Sequence, residues 1–274
     1  MNKKKIVILS GQELRHEFFR KYLASQLSYD VVGCFCEGEE KSLQNRLIEE
    51  NLLKGILEQH VNKRKESEEN FFRSFNSSSK DIENTFFIKK GEINTKLIFE
   101  QIKNLRPDLL ICFGSSIIKG NLIDFYKGKI INVHLGLSPY YRGSGTNVWP
   151  LINSEPEYMG ATYMYLDEGI DTGEIIHQIQ TPLKSGDDPH SAGNRLIIEM
   201  TKTFSKLIKN FDDLSKKKQI NLKGRLYLRK HFNEESCKIL YRNFDTGLIN
   251  NYLKESFISN KKLFLIKDNL LVRG

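Results

Sequence analysis

The chain has 274 residues, 39% of them hydrophobic and 28% charged, and a formal net charge of +8. That length fits one large domain or one domain with a small appendage, and that balance excludes a disordered chain. No apolar run reaches the roughly 18 residues of a membrane helix, and the apolar stretch 6–10 behind the basic N-terminus is too short for a signal peptide, so a cytoplasmic protein with no membrane partner is expected.

In chain order, residues 4–9 form a short Ile/Val-rich run that suits a strand buried on both faces. Leu14, Phe18, Tyr22 and Leu23 recur at helical spacing over 13–26, and 31–36 is a second apolar run. This strand–helix–strand start predicts an open, mostly parallel Rossmann-like α/β sheet. Residues 41–75 read as one long charged helix with a leucine stripe (Leu43, Leu47, Leu52, Leu53, Leu57), nearly all polar over 62–70 and ending in a loop at 76–80. A short strand at 85–88, a helix at 96–105 stopped by Pro107, and core strands at 108–113 and 130–134 follow. Strands at 159–166 and 174–180 flank a turn, and 190–214 is a long amphipathic helix. The composition then shifts. The reading divides the chain into a catalytic domain, 1–214, and a small C-terminal appendage, 215–274, with short helices at 234–243 and 248–257 and a strand at 263–266.

Cys34, Cys36, Cys112 and Cys237 contain no C-x-x-C pair, and the six histidines form no ligand-spaced cluster with them. They read as small buried residues, and no metal is expected. The basic excess fits an anionic partner such as tRNA, a nucleotide-sugar or a phosphorylated substrate, but scattered lysines fit a lysine-rich genome better. The densest run, Lys216 to Lys218 with Lys223 and Arg225, reads as a solvated linker.

The informative block is 131–176. Asn132 and His134 stand two apart at a strand end, on one face, where ligands bind in open α/β sheets. A loop rich in Gly and Pro follows, suited to close backbone approach. Asp167, Glu168 and Asp171 lie in a glycine-punctuated turn; taken alone, Asp171 reads as a turn former. Together, an amide, a histidine and a carboxylate at one sheet edge supply an oxyanion donor, a proton-transfer group and an orienting base, the three functions that acyl transfer to an amine requires.

This block resembles the N10-formyltetrahydrofolate-dependent formyltransferase family, which includes methionyl-tRNA, phosphoribosylglycinamide and sugar N-formyltransferases. The resemblance rests on Asn132-Val-His134-Leu-Gly-Leu137-Ser-Pro139-Tyr-Tyr141-Arg142-Gly143 followed by Asp171-Thr172-Gly173-Glu174-Ile175, and is clear over about 108–180. It implies formyl transfer from N10-formyltetrahydrofolate as co-substrate, with Asn132, His134 and Asp171 catalytic. It also implies a pterin pocket lined by Phe113, Gly114, Ser115, Asp167, Glu168, Gly169 and Ile170; Phe113 reads equally well as core.

The departures bear on the acceptor. The first turn, 10–16, has one glycine and an acidic residue, which disfavours the phosphate nest of glycinamide ribonucleotide enzymes, although Arg15 could contact an anion. An appendage of about 60 residues disfavours tRNA, whose enzymes carry a larger C-terminal domain in the resembling family. A small-molecule amine remains, with a nucleotide-linked amino sugar leading by elimination. Tyr140, Tyr141, Asn147 and Trp149 either shape its pocket or pack the loop, and Trp149 is expected to pack against the following helix. Hydrolysis of formyl-folate and a non-catalytic folate- or nucleotide-binding protein are the rival classes.

Overall fold

Alternation along the central strands divides the interior into two layers. In the computed structural model, strand β1 (Lys4–Gly11) sends Ile6 and Ile8 into one core and Val7 and Leu9 into another on the opposite face, and all four are fully buried. Strand β4 (Leu109–Phe113) repeats the pattern, with Leu109, Ile111 and Phe113 on the first side and Leu110 and Cys112 on the second. A strand covered on both faces must be apolar at every position, which is why these runs read as continuous rather than alternating. The structure describes residues 3–40, 42–220, 222, 224–258, 263 and 265–269.

The main sheet has seven strands in the order β3-β2-β1-β4-β5-β7-β8. β2 (Tyr29–Glu37), β3 (Thr85–Ile88), β1, β4 and β5 (Ile130–His134) are mutually parallel; β7 (Gly160–Tyr165) runs antiparallel to β5, and β8 (Ile175–Gln180) is antiparallel to β7 and so points the same way as β5. The mostly parallel α/β sheet expected from the sequence is therefore present. Helix α1 (Leu14–Ala24) and helix α7 (Pro189–Lys209) cover the first core; α7 contributes Leu196, Ile197, Met200, Phe204, Leu207 and Ile208 and is capped by Asp188. Helix α4 (Lys96–Asn104) covers the second and is capped by Thr95.

The long charged helix divides in two. Helices α2 (Leu43–Glu49) and α3 (Gly55–Ser78) are separated where Asn51 and Gly55 take φ values of 55° and 57°. A left-handed residue ends a helix regardless of the apolar stripe running through it. Helix α3 also runs to Ser78, into the loop expected at 76–80. Its polar middle does not project: Arg64 and Glu68 join Arg15 and Glu13 in an ion network, with Arg64 Nη2 3.0 Å from Glu13 and Arg15 Nη1 2.6 Å from Glu68. Arg15 is therefore committed to two carboxylates and is not poised for a ligand anion.

Three short elements went unread: helix α5 (Asn121–Phe125), strand β6 (Tyr141–Gly143) and helix α6 (Trp149–Ile152). β6 pairs in parallel with β9 (Arg225–Tyr227), 84 residues downstream, where a solvated linker was expected. Helices α8 (Glu234–Asp245) and α9 (Leu248–Ile258) add Leu240 and Ile249 to a third core with Tyr141, Trp149 and Leu151. The strand expected at 263–266 falls partly outside the described residues; the described ones form no strand, although the Gln178 amide donates to the Ile266 carbonyl at 2.9 Å. Among the described residues no helix is long and apolar enough to cross a membrane, and all four cysteines are buried and free.

Candidate active site

β5 presents Ile131 and Val133 to the first core, so Ile130, Asn132 and His134 fall on the other face. His134 is buried, and each of its ring nitrogens has a neighbour. Nε2 lies 3.1 Å from the Tyr141 carbonyl and 3.2 Å from Thr146 Oγ1, and Nδ1 lies 3.4 Å from Asp171 Oδ2. Asn132 is half-buried between Cys112 of β4 and Met164 of β7 in register, and its side chain makes no hydrogen bond to another described residue. Its amide is thus available to a ligand.

Asp171 reaches His134 by an unexpected route. Because β7 is antiparallel, its exit lies beside the start of β5, where the Leu166 amide donates to the Ile130 carbonyl at 3.0 Å. The carboxylate is therefore not carried on a loop at the same strand ends as His134; the 166–174 connection folds back to bring it there. At its turn Asp171 has φ 53°, a left-handed value that Asp tolerates better than most residues. Two neighbours fix it. The Gly143 amide donates to Oδ2 at 2.8 Å, and Gln219 Nε2 donates to the carbonyls of Asp171 and Gly173 at 2.8 and 3.0 Å. The Lys217 amide and carbonyl pair with Ile175 beside it, and Lys216 Nζ is 2.6 Å from Glu174.

The residues assigned to the pterin pocket lie in two groups. Phe113 is core: it is 4% exposed, with its ring 4.9 Å from His16 and 5.1 Å from Phe19. Gly114, with φ 72°, and Ser115 begin an open segment beyond β4. Asp167, Glu168, Gly169 and Ile170 are exposed, and Asp167 acts as a turn former, accepting from the Gly169 amide at 3.0 Å and Thr172 Oγ1 at 2.7 Å. Among the described residues no hydrogen bond joins the two groups. The 114–119 segment is pinned from behind. Glu37, fully buried at the end of β2, accepts from the Gly91 amide at 2.7 Å, Lys90 Nζ at 3.1 Å and the Ser116 amide. Asn94 bonds the Ile117 carbonyl and the Lys119 amide at 2.9 and 2.7 Å.

Thr146, Glu37 and Gln219 escaped the sequence reading. A carboxylate ending a core strand was a signal for Glu37; Thr146 and Gln219 carry no local pattern. Trp149 is packed rather than presented to a ligand: its ring stacks on Tyr227 at 4.2 Å, and its Nε1 donates to the Ser144 carbonyl at 3.2 Å; Tyr141 is buried at the wall of the cleft that Tyr140 lines. Trp149 is itself the first residue of α6; its ring stacks on Tyr227 of β9, and it shares a core with Leu240 of α8 and Ile249 of α9. Tyr140 does line a cleft of about 210 Å³ with Tyr158, Glu155 and Arg225. In the first turn, burial pushes the Glu13 carboxyl up, but Arg15, Arg64 and His16 outweigh it and hold it well below the ordinary carboxylate range. Among the described residues no group of three or more His, Cys, Asp or Glu side chains could hold a metal.

A formyl transferase family profile matches residues 4–208, which include Asn132, His134, Asp171 and the whole seven-stranded sheet. The chain belongs to the formyl transferase family. It is 40% identical over 99 residues to the methionyl-tRNA formyltransferase of Citrifermentans bemidjiense, an alignment covering 35% of this chain and 30% of that protein. The curated relatives of this kind are matched over 28% to 39% of their own length. Among solved structures, a sugar N-formyltransferase from a Shewanella species superposes with TM-score 0.54 at 17% identity, over 84% of this chain and 78% of that one. A formyltransferase from Anoxybacillus kamchatkensis, crystallised with a UDP-linked formamido sugar and tetrahydrofolate, gives TM-score 0.50 at 19% identity, over 83% and 87%. At these identities the likeness is one of fold.

Proposed function

We propose that the chain transfers the formyl group of N10-formyltetrahydrofolate to a primary amine of a small acceptor, and that the acceptor class is a nucleotide-linked amino sugar. The observation that carries the reading is the contact between His134 Nδ1 and Asp171 Oδ2 at 3.4 Å, with Asn132 two residues upstream on the same strand face, within the family-matched span. In this reading Asn132 donates a hydrogen bond to the oxygen that gains charge as the amine attacks, and loss of one such donor costs about 2.7–4 kcal/mol. His134 accepts the amine proton and returns one to the departing folate nitrogen, while Asp171 balances the imidazolium. The pinned 114–119 segment, with its backbone open beyond β4, offers the co-substrate a fixed edge.

The acceptor class is reached by elimination, and the first turn speaks against glycinamide ribonucleotide. The start of α1 already holds the ionised carboxylate of Glu13, where a substrate phosphate would bring a second negative charge. The test is a screen of amines with formyl-folate: nucleotide-linked 3-amino and 4-amino sugars, glycinamide ribonucleotide and methionyl-tRNA. An amino sugar should be formylated, with little turnover of formyl-folate alone; formate release without amine would indicate a hydrolase. His134→Ala and Asp171→Asn should abolish transfer while tetrahydrofolate binding changes by no more than a few-fold, and wild-type turnover in both would overturn the assignment.

A further inference from the structure

The environment of His134 fixes which nitrogen carries its proton. The Tyr141 carbonyl, 3.1 Å from Nε2, can only accept. Thr146 has a single hydroxyl proton, donated to the Leu135 carbonyl at 2.7 Å, so toward Nε2, 3.2 Å away, its oxygen also acts as acceptor. Two acceptors therefore face Nε2. Thr146 is 2% exposed and the ring 7%, so water does not substitute for either contact. The far side is closed as well: a Cβ on Gly136 would stand 2.5 Å from Nε2. Only Nδ1 remains, on the edge shared with Asp171. In an acid–base pair of the usual kind the carboxylate holds one nitrogen and the other works on the substrate; here the nitrogen away from the carboxylate is sealed.

We propose that Thr146 is a positioning residue that, with the Tyr141 carbonyl, keeps the His134 proton on Nε2 and so makes Nδ1 the nitrogen that exchanges protons during formyl transfer. This deepens the proposed function and rests on it. The amine lone pair forms a bond to the formyl carbon as the carbonyl π pair moves to oxygen. The proton shed by the amine passes to the Nδ1 lone pair, beside the Asp171 carboxylate. When the bond between the formyl carbon and the folate nitrogen breaks, its electron pair stays on that nitrogen, which takes the proton back from Nδ1. The products are the formamide and tetrahydrofolate, and His134 returns to its starting form with the Nε2 proton unmoved throughout.

The Asp171 carboxylate favours a proton on Nδ1, and the two acceptors at Nε2 oppose it. Removing one of them should tip the neutral ring toward the other tautomer. The test is the pair of ring ¹⁵N shifts of His134 in full-length, ¹⁵N-histidine-labelled protein, assigned by their loss in His134→Gln and read at a pH where the ring is neutral. Wild type should show a protonated Nε2 and an unprotonated Nδ1. Thr146→Val should show a mixture, with kcat lowered roughly tenfold and KM for formyl-folate within about twofold; Thr146→Ser should restore both readings. A wild-type ring protonated on Nδ1, a Val variant with the wild-type ring pattern, or a changed ring with unchanged kcat would each overturn the proposal. If wild type formylates none of the amines, the functional reading fails, while the ring spectra still decide the tautomer.

Discussion

Gly136 follows His134 by two residues, and alanine there would add one methyl group against the ring. Its Cβ would stand 2.5 Å from Nε2, 2.8 Å from the Thr146 Cβ and 2.9 Å from the Thr146 Oγ1. Ordinary contact begins near 3.4 Å, so something must move by most of an ångström. Neither neighbour is a loose chain end. The ring is held at 3.1 Å by the Tyr141 carbonyl, and Thr146 is held at 2.7 Å by the Leu135 carbonyl. Gly136 does not occupy the left-handed region, so the substitution tests the methyl and not the backbone. A misplacement of about 1 Å costs on the order of 10²-fold in rate, and overpacking costs about 1–3 kcal/mol of stability. Gly136→Ala should therefore remain folded with a modestly lower melting temperature, bind tetrahydrofolate within a few-fold of wild type, and turn over about 100-fold more slowly. The assay is formyl transfer to the amine that the screen identifies, alongside calorimetric titration of tetrahydrofolate and thermal unfolding. A folded variant with wild-type kcat would refute the reasoning that the packing of this ring sets the rate.

Arg15→Met should cost about 3 kcal/mol in urea unfolding at pH 7, because it strips a partly buried network of one cation, and adding Glu13→Gln should recover part of that loss; a single variant within 1 kcal/mol of wild type, on the usual scale of exposed pairs, would contradict it. Acid should loosen the junction of α3, α7 and α8. Burial, with His190 and Arg64 nearby, pushes His60 down to about 3, and burial pushes His190 down to about 4, from an ordinary 6.5. The unfolded chain then binds protons that the folded chain refuses, so stability is full above about pH 6.5 and is lost as pH falls from there toward 4. Melting temperatures measured across that window should fall steeply in wild type and less in His60→Gln/His190→Gln, and parallel curves would count against the buried pair.

Legibility of the chain followed the range of the interactions. β1 and β4 were readable because a strand buried on both faces has to be apolar throughout, and Asn132 and His134 of β5 were readable because the two-residue period of a strand puts them on one face. The break between α2 and α3 was hidden because Leu52 and Leu53 continue the stripe through a turn made by backbone conformation alone. The β6–β9 pairing joins two three-residue segments 84 positions apart, too short to carry a period. Thr146 lies 12 residues from His134, and Gln219 sits within a lysine run 48 residues from Asp171, so no spacing rule connects either to its partner. Asp171 itself stood out only through the motif around it, since an aspartate between glycines is the ordinary composition of a turn.

The segment beyond the family-matched span has a structural relation to chemistry inside it. Asp171 holds a left-handed backbone at φ 53°, a conformation that costs on the order of 1 kcal/mol or more for a residue with a side chain and persists only when neighbours impose it. One of the imposing contacts, the Gly143 amide, comes from β6; the others come from Gln219 and the Lys217 bridge, both past residue 208, where the family match ends. β6 in turn is flanked on its other side by β9, whose Arg225 meets Glu155 and the Tyr141 hydroxyl at 2.6 Å. β9 thus braces the strand that touches both members of the His134–Asp171 pair, through its Tyr141 carbonyl on one and its Gly143 amide on the other, while Lys217 and Gln219 brace the turn that carries Asp171. Leu222, Gly224 and Arg225 of the same segment border the cleft lined by Tyr140 and Tyr158. In the proposed reading Leu222, at the rim of that cleft, is the position of this segment that can follow the acceptor, because the turn that carries Asp171 is held by Gln219 and the Lys217 bridge instead.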